Sequence, residues 1–394
     1  MPVRHWLQLA LTDGTGPILA RRIVDAAGGV EPACEASVAL LRNIDGIGTA
    51  TASRIHDSLR ASRAAADSEL EQAARMGIRV ICPDDEVYPA LLRTNPDPPL
   101  TLYVKGTLEP RDLNALAIVG SRKCSFYGRE QAERFAALLA GAGFTVVSGG
   151  ARGIDSAAHR GAMSHPQGRT IAVLGSGVDV PYPPENDSLF EQVARRGAVV
   201  SEFPLGTPPN RENFPRRNRV VSGMSRGVLV VEADAKSGAL ITARVACDDH
   251  DRPVFAVPGR VDNPLSAGPH LLIRDGAVLV AKLEDILEGL GPVPQEVTEP
   301  GLFPEPAPEL ERSSAAIPAP SEARSQAAEQ PGLSERQRAI LRGIGSDGAN
   351  VDAIVERTAL PAHVVLQELT FLSLKGQVRR VDGQTYAPRK GAAT

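Results

Sequence analysis

Leu116-Ala117-Ile118-Val119-Gly120-Ser121-Arg122 is an apolar β-type run that breaks at a glycine and passes, after Lys123, into a helical pattern. Val146-Val147-Ser148-Gly149-Gly150-Ala151-Arg152-Gly153-Ile154-Asp155 repeats the phrase. Strand-like runs recur at 79–81, 116–119, 145–147, 170–174, 198–200, 228–231, 254–257 and 277–280, most of them separated by helical patterns. Strands alternating with helices predict an α/β fold built on a Rossmann-like, doubly wound and largely parallel sheet. In such sheets ligands bind at the carboxyl ends of the strands. The glycine turns fall there, and so does Glu232-Ala233-Asp234-Ala235-Lys236-Ser237-Gly238.

Outward from this core, residues 1–60 hold two similar phrases, Thr12-Asp13-Gly14-Thr15-Gly16 and Ile44-Asp45-Gly46-Ile47-Gly48, each before an apolar helix. They are similar to helix-hairpin-helix units and predict a small all-α, SAM-like domain over 1–60. Its six basic and six acidic residues concentrate no positive charge. A helix is expected from about 61 to 76, opening the α/β domain assigned to 61–290. Residues 291–331 carry nine prolines, seven acids and two basic residues, the composition of a flexible, extended linker. Residues 332–390 regain a compact pattern: helices over 334–343, 351–358 and 361–374, then a hairpin of 377–381 and 385–387 around Asp382-Gly383. Three helices and a wing predict a winged-helix domain.

With 394 residues, a net charge of -4 and only 4% aromatics, the chain has no global basic footprint, so nucleic acid must be held by a local patch. The four cysteines form no CxxC pair and the histidines lack metal-ligand spacing, which argues against both a disulfide framework and a metal site. No stretch approaches a membrane span. A cytoplasmic protein is expected, without membrane contact and without a cofactor. Gly175-Ser176-Gly177 fails a dinucleotide fingerprint at its third glycine, and no Walker A lysine follows any glycine loop.

The chemistry the chain does offer is anion binding. Gly120, Ser121, Arg122 and Lys123 follow one strand, Gly149, Gly150 and Arg152 the next, and Arg211, Arg216, Arg217, Arg219 and Arg226 cluster after a later one. Glycines bring backbone amides close to a ligand, and the arginine fork matches phosphate. Phe214-Pro215-Arg216-Arg217-Asn218-Arg219 is read as a turn just before a helix. Phe214 is either a base-stacking surface or a buried anchor for that turn. Asp155 is assigned to capping a helix that starts at Ser156, and Lys236 reaches toward phosphate from a neighbouring strand end. No acid, base or nucleophile joins these residues in a catalytic pattern.

Ala117-Ile118-Val119-Gly120-Ser121-Arg122, the 148–159 stretch, Phe214-Pro215-Arg216-Arg217-Asn218-Arg219, Ser237-Gly238-Ala239-Leu240-Ile241-Thr242-Ala243 and Ala256-Val257-Pro258-Gly259 together resemble the DNA-processing protein A family (DprA, also called Smf) over roughly 5–290. The resemblance implies a non-catalytic single-stranded DNA-binding homodimer. Its implied role is to protect incoming strands and load RecA recombinase onto DNA covered by single-strand-binding protein, during natural transformation and homologous recombination. It also implies a DNA site at Ser121, Arg122, Arg152, Arg211, Phe214, Arg217, Asn218, Arg219 and Lys236. Gly150 and His270 depart from the family's pattern, where leucine and asparagine are usual.

Two rival functions remain open on the sequence. The glycine turns are also similar to nucleotide-binding phosphoribohydrolases, although the turn after Glu232 lacks their Pro-Gly-Gly-x-Gly-Thr pattern. The winged helix offers a duplex-DNA regulator. Its expected recognition helix carries only His363 and Gln367 as base readers, with Arg379 and Arg380 in the wing, so duplex DNA and a protein partner stand level there.

Overall fold

The computed structural model describes residues 2–291, 335–344, 349–358, 360, 365, 369, 372, 378–380 and 385–388. The chain divides into two compact units, Met1–Ala307 and Pro308–Thr394.

Five helices open the first unit: α1 (Pro2–Ala10), α2 (Pro17–Ala27), α3 (Val30–Ala33), α4 (Val38–Arg42) and α5 (Thr49–Arg75). Ala52, Ile55, Leu59, Ser62, Ala66 and Ala73 form one buried stripe at helical spacing along α5. Its first half packs with Trp6, Leu9, Ile23 and Leu41 of the preceding helices. Its second half, through Ala66 and Ala73, packs on Tyr103 and Val199 of the sheet. The helix expected from about 61 is therefore the continuation of one that begins at Thr49. No glycine or proline interrupts 49–75, so nothing stops it at residue 60.

The sheet has nine strands: β1 (Arg79–Ile81), β2 (Leu102–Gly106), β3 (Ala115–Val119), β4 (Thr145–Ser148), β5 (Arg169–Leu174), β6 (Ala198–Ser201), β7 (Val228–Val230), β8 (Val254–Ala256) and β9 (Val278–Leu279). Their order is β1-β2-β6-β5-β4-β3-β7-β8-β9. All pairs from β6 to β9 along that order are parallel, while β2 runs antiparallel to both β1 and β6. The intervening helices are α6 (Ala90–Arg93), α7 (Phe126–Gly141), α8 (Ile154–Ser164), α9 (Asp187–Arg196), α10 (Asn213–Gly223), α11 (Gly238–Asp248), α12 (Ala267–Arg274) and α13 (Leu283–Leu290). β2 is the strand that the sequence pattern does not announce. It follows Pro98-Pro99, and only the four-residue α6 separates it from β1, so it stands outside the strand–helix alternation that marks the others.

Both faces of the sheet are covered. Leu116 and Ile118 point to α7 and α8, whereas Ala115, Ala117 and Val119 point to α10 and α11, the alternation a strand imposes. From β3 the chain winds through β4 and β5 to β6 on one side, then returns to β7 and winds outward through β8 to β9 on the other. The order reverses between β3 and β7, and the crevice of such a fold opens at that reversal.

Two buried polar groups hold this frame in register. Arg169, at the head of β5, is almost fully buried and bonds both oxygens of Asp112 at 2.5 and 2.7 Å and Glu109 at 3.1 Å. His159 of α8 is fully buried, with Nδ1 at 2.7 Å from the Thr170 hydroxyl. That hydroxyl already donates to the Val146 carbonyl, so Nδ1 carries the proton and Nε2 is left buried without a partner.

The second unit contains α14 (Glu335–Ile344), β10 (Ala349–Asn350), α15 (Val351–Thr358), β11 (Val378–Arg380) and β12 (Thr385–Pro388), its strands ordered β10-β12-β11. Ile340, Ile344, Ile354, Val365, Leu369 and Leu372 build its core. Of the helix expected over 361–374 only Val365, Leu369 and Leu372 are described, all helical and buried. The rest of that helix, the turn Asp382-Gly383 and nearly all of the 291–331 linker lie outside the described residues. Among the described residues no helix is long and apolar enough to cross a membrane.

Arg169→Met removes one partner of a buried pair and should lower the unfolding free energy by about 3–5 kcal/mol in urea denaturation. A loss below about 1 kcal/mol would show the cross-tie to be dispensable. Burial pushes the His159 imidazole down to about 3, against about 6.5 when unfolded. Below pH 6.5 the unfolded chain therefore gains a proton that the folded chain refuses, and stability should fall as pH drops from 6.5 toward 3. His159→Gln should flatten that limb, and an unchanged pH profile would remove His159 as its source.

Candidate functional site

The carboxyl ends of β3, β4 and β7 surround a cavity of about 660 Å³. The loop after β3 contributes Gly120, Ser121, Arg122 and Lys123, the loop after β4 contributes Gly149 and Ala151, and the first turn of α8 contributes Asp155. Asp234, Ser237, Gly238, Ile241 and Thr242 come from the loop after β7 and from α11. The fourth wall is Arg211 together with α10. Four cationic side chains, Arg122, Lys123, Arg211 and Arg217, face two carboxylates, Asp155 and Asp234. A chain of net charge -4 thus carries a cationic cavity at its topological switch point.

Helix α10 decides which of its arginines reach the cavity. Phe214-Pro215-Arg216-Arg217-Asn218-Arg219 is not a turn before a helix but the opening of the helix itself, which starts at Asn213. Pro215 is tolerated there because a first-turn amide has no helical acceptor. Phe214, Arg217, Asn218 and Val221 stand at i, i+3, i+4 and i+7, and all four line the cavity. Arg216 and Arg219 lie off that face. Arg216 sits over the Phe203 ring at 5.2 Å, and Arg219 is paired with Glu202 and, at 3.3 Å, with Asp97. Arg226 lies at the opposite end of the sheet, where its amide bonds the Ala115 carbonyl at the start of β3 and its side chain bonds Asn114.

Arg217 forms the floor. It is about 5% exposed, its Nη1 donates to the Val173 carbonyl at 3.0 Å, and its Nε has no partner. The guanidinium lies against the Gly149 backbone, where any Cβ would overlap it. Burial pushes it down to about 10, with the charge of Arg122 acting the same way and Asp155 opposing. Asp155 is buried and its carboxyl is raised by burial, with Arg217 the main counterweight. It does not cap a helix at Ser156. The helix begins at Ile154, and Asp155 reaches back to accept the Ala151 amide at 3.3 Å and the Gly149 amide. Gly150 and Gly153 have φ of +68° and +74°, which lets this loop fold back over its own carboxylate. Amides expected to face a ligand are thus already occupied by Asp155.

Phe214 is half-buried over Gly175, with the Arg122 guanidinium 4.9 Å above its ring and Tyr182 at 6.0 Å. The anchor reading of Phe214 holds in part: the ring is seated against Gly175, and the side chain also lines the cavity. Beyond it lies a constriction of about 10 Å³ lined by Arg122, Arg152, Tyr182, Phe214 and Arg217. Arg152 is half-exposed there and paired with Glu185. Gly150 and Lys236 are not among the lining residues: a Gly150 Cβ would point at Phe190, and Lys236 is exposed. Glu232, the acid of the hydrolase reading, is buried and accepts from the Ser125 amide and hydroxyl at 2.8 and 2.6 Å, bracing the start of α7 outside the cavity. His270 locks the Gly259 turn through its carbonyl at 3.0 Å. Tyr182 and Glu185 were missed by sequence reasoning. They sit after β5, beside β4, and strand adjacency is the signal that would have found them.

A family model described as DNA recombination-mediator protein A matches residues 79–291, and one described as DprA winged helix domain matches 323–384. "Protein Smf" of Synechocystis sp. is 34% identical over 398 residues, covering 98% of each chain. "Protein Smf" of Escherichia coli is 40% identical over 302 residues, 76% of this chain and 75% of that one. Among solved structures, DNA processing protein A from Streptococcus pneumoniae is similar with a TM-score of 0.63 at 33% identity, covering 72% of this chain and 95% of that one.

Gly149→Ala should displace the Arg217 guanidinium and cost about 1–3 kcal/mol of stability by overpacking. At Gly238 a Cβ meets nothing within 4 Å, so Gly238→Ala should leave the melting temperature unchanged. Equal melting temperatures for the two variants would contradict the contact between Gly149 and Arg217.

Proposed function

The chain belongs to the DNA recombination-mediator protein A family, and we propose that its cationic crevice holds single-stranded DNA for delivery to a RecA-type recombinase. Four cations converging on one cavity of an otherwise acidic chain carry this reading. Contacts would run from Arg122, Lys123, Arg211 and Asn218 to consecutive phosphates, with Phe214 as the single aromatic face. Binding is then nearly independent of base sequence and strongly dependent on salt. A strand held by its backbone keeps its base edges free, which suits transfer to a recombinase in place of single-strand-binding protein. A homodimer would present two such crevices and bring two tracts of strand together.

The protein acts in this reading as a carrier in the cytoplasm and catalyses nothing. The buried, fully engaged Glu232 supports that against the phosphoribohydrolase alternative, whose acid would have to face the cavity. Arg219 and Lys236 take no part in the proposed strand contacts, while Arg152 joins them once Glu185 releases it.

The exposed pair Arg122 and Arg211 gives the test, because neither carries the fold. Each phosphate contact on a single strand contributes about 0.7 to the slope of log affinity against log salt. Arg122→Gln with Arg211→Gln should reduce that slope by about 1.4 and weaken binding to a labelled oligothymidine by at least about tenfold at moderate salt. Unchanged affinity and slope would place the strand elsewhere on the protein.

A further inference from the structure

Phe135, Phe144, Phe190, Phe203 and Phe255 are all buried, whereas Phe126, in the first turn of α7, is 79% exposed. The backbone beneath it is braced on both sides. Ser125 donates to Glu232 through its amide and its hydroxyl and accepts the Gly128 amide at 3.1 Å. Tyr127 donates to the Pro258 carbonyl at 3.0 Å. Phe126 is therefore an apolar ring held out to water from a fixed support. Among the described residues no other ring and no guanidinium stacks on it.

The charge around this ring matches a polyanion. Lys123, which lines the cavity, precedes it by three residues, at most about 11 Å of chain. Arg129 follows at i+3 on the same helix face, and no acid occurs from Leu116 to Arg129. Glu130 is the first carboxylate beyond them, and Lys123, Arg129 and Glu130 are all exposed. Phe126 itself lies outside the cavity lining. Inside the cavity the aromatic ring is already engaged. The Arg122 guanidinium lies 4.9 Å over Phe214, which is seated against Gly175 with Tyr182 at 6.0 Å. A base stacking on Phe214 competes with those contacts, whereas one stacking on Phe126 displaces only water.

We infer that a strand gripped at Arg122 and Lys123 leaves the cavity over the first turn of α7, where Phe126 stacks one of its bases. This extends the strand-binding reading to a residue outside the cavity and rests on that reading. Every base has an apolar face, so the contact adds affinity without sequence preference. It releases no counterion, so it adds nothing to the salt slope. The two kinds of contact are thereby separable: the cations answer to salt, and Phe126 answers to the presence of bases.

The experiment compares the full chain with Phe126→Ala for binding to a labelled oligothymidine and to an abasic single strand with the same number of phosphates. Phe126→Ala should weaken oligothymidine binding about tenfold, the worth of one stacked base, with the salt slope unchanged. Its affinity for the abasic strand should equal that of the unaltered chain. Phe126→Trp should keep the affinity, and its emission should be quenched by oligothymidine but not by the abasic strand. Trp6, the chain's own tryptophan, is buried and supplies a constant background. An equal loss on both strands, or no loss on either, would overturn the stacking role while leaving strand binding intact. A changed sedimentation coefficient with unchanged strand affinity in Phe126→Ala would also overturn it and assign the ring to a contact between copies of the chain. No binding of either strand by the unaltered chain would sink the strand reading itself.

Discussion

A guanidinium buried against a bare backbone is the contact around which the site is assembled. Arg217 can reach the Val173 carbonyl because residue 149 has no side chain, and in doing so it ties α10 to the ends of β4 and β5. Asp155 supplies the opposing charge from α8 and gathers the Gly149 and Ala151 amides as it does so. One contact thus fixes a helix, a loop and two strand ends in relation to each other. A buried cation without this counterweight would carry a desolvation cost of several kcal/mol.

The arrangement also explains how an acidic chain can offer a cationic crevice. Several of its arginines are spent in pairs: Arg4 with Asp67, Arg169 with Asp112, Arg219 with Glu202, Arg260 with Asp262. Arg122, Lys123, Arg211 and Arg217 line the cavity with only Asp155 and Asp234 as carboxylates among them. Local composition, not global charge, sets the potential at the switch point.

The sequence made the sheet legible because strand, glycine turn and helix follow one another in short order from Leu116 onward. β2 escaped because it follows two prolines and has no full helix between it and β1, so the strand–turn–helix rhythm that marks the other strands is missing there. The boundary expected near residue 60 escaped because α5 changes packing partners without any break in its own pattern. At the site, the residue types were legible and the directions were not. Reading 214–219 as a turn made Arg216, Arg217 and Arg219 equivalent, whereas a helix separates Arg217 from Arg219 by about 200° and turns one to the cavity and the other to Glu202. Tyr182 and Glu185 carry no motif at all; only the adjacency of β5 to β4 brings them to Phe214.

The same directional argument separates two kinds of arginine by what each can do for a strand. Arg122 and Arg211 are exposed, so in the proposed strand site their contribution would be the screened attraction that gathers and retains phosphates. Arg217 is already immobile and desolvated, so a phosphate reaching it adds no further ordering of that side chain and no further loss of its water. A contact with Arg217 is therefore short-ranged, less sensitive to salt and demanding in geometry. In the proposed strand site such a group would select what enters, while the outer arginines would determine how readily it arrives.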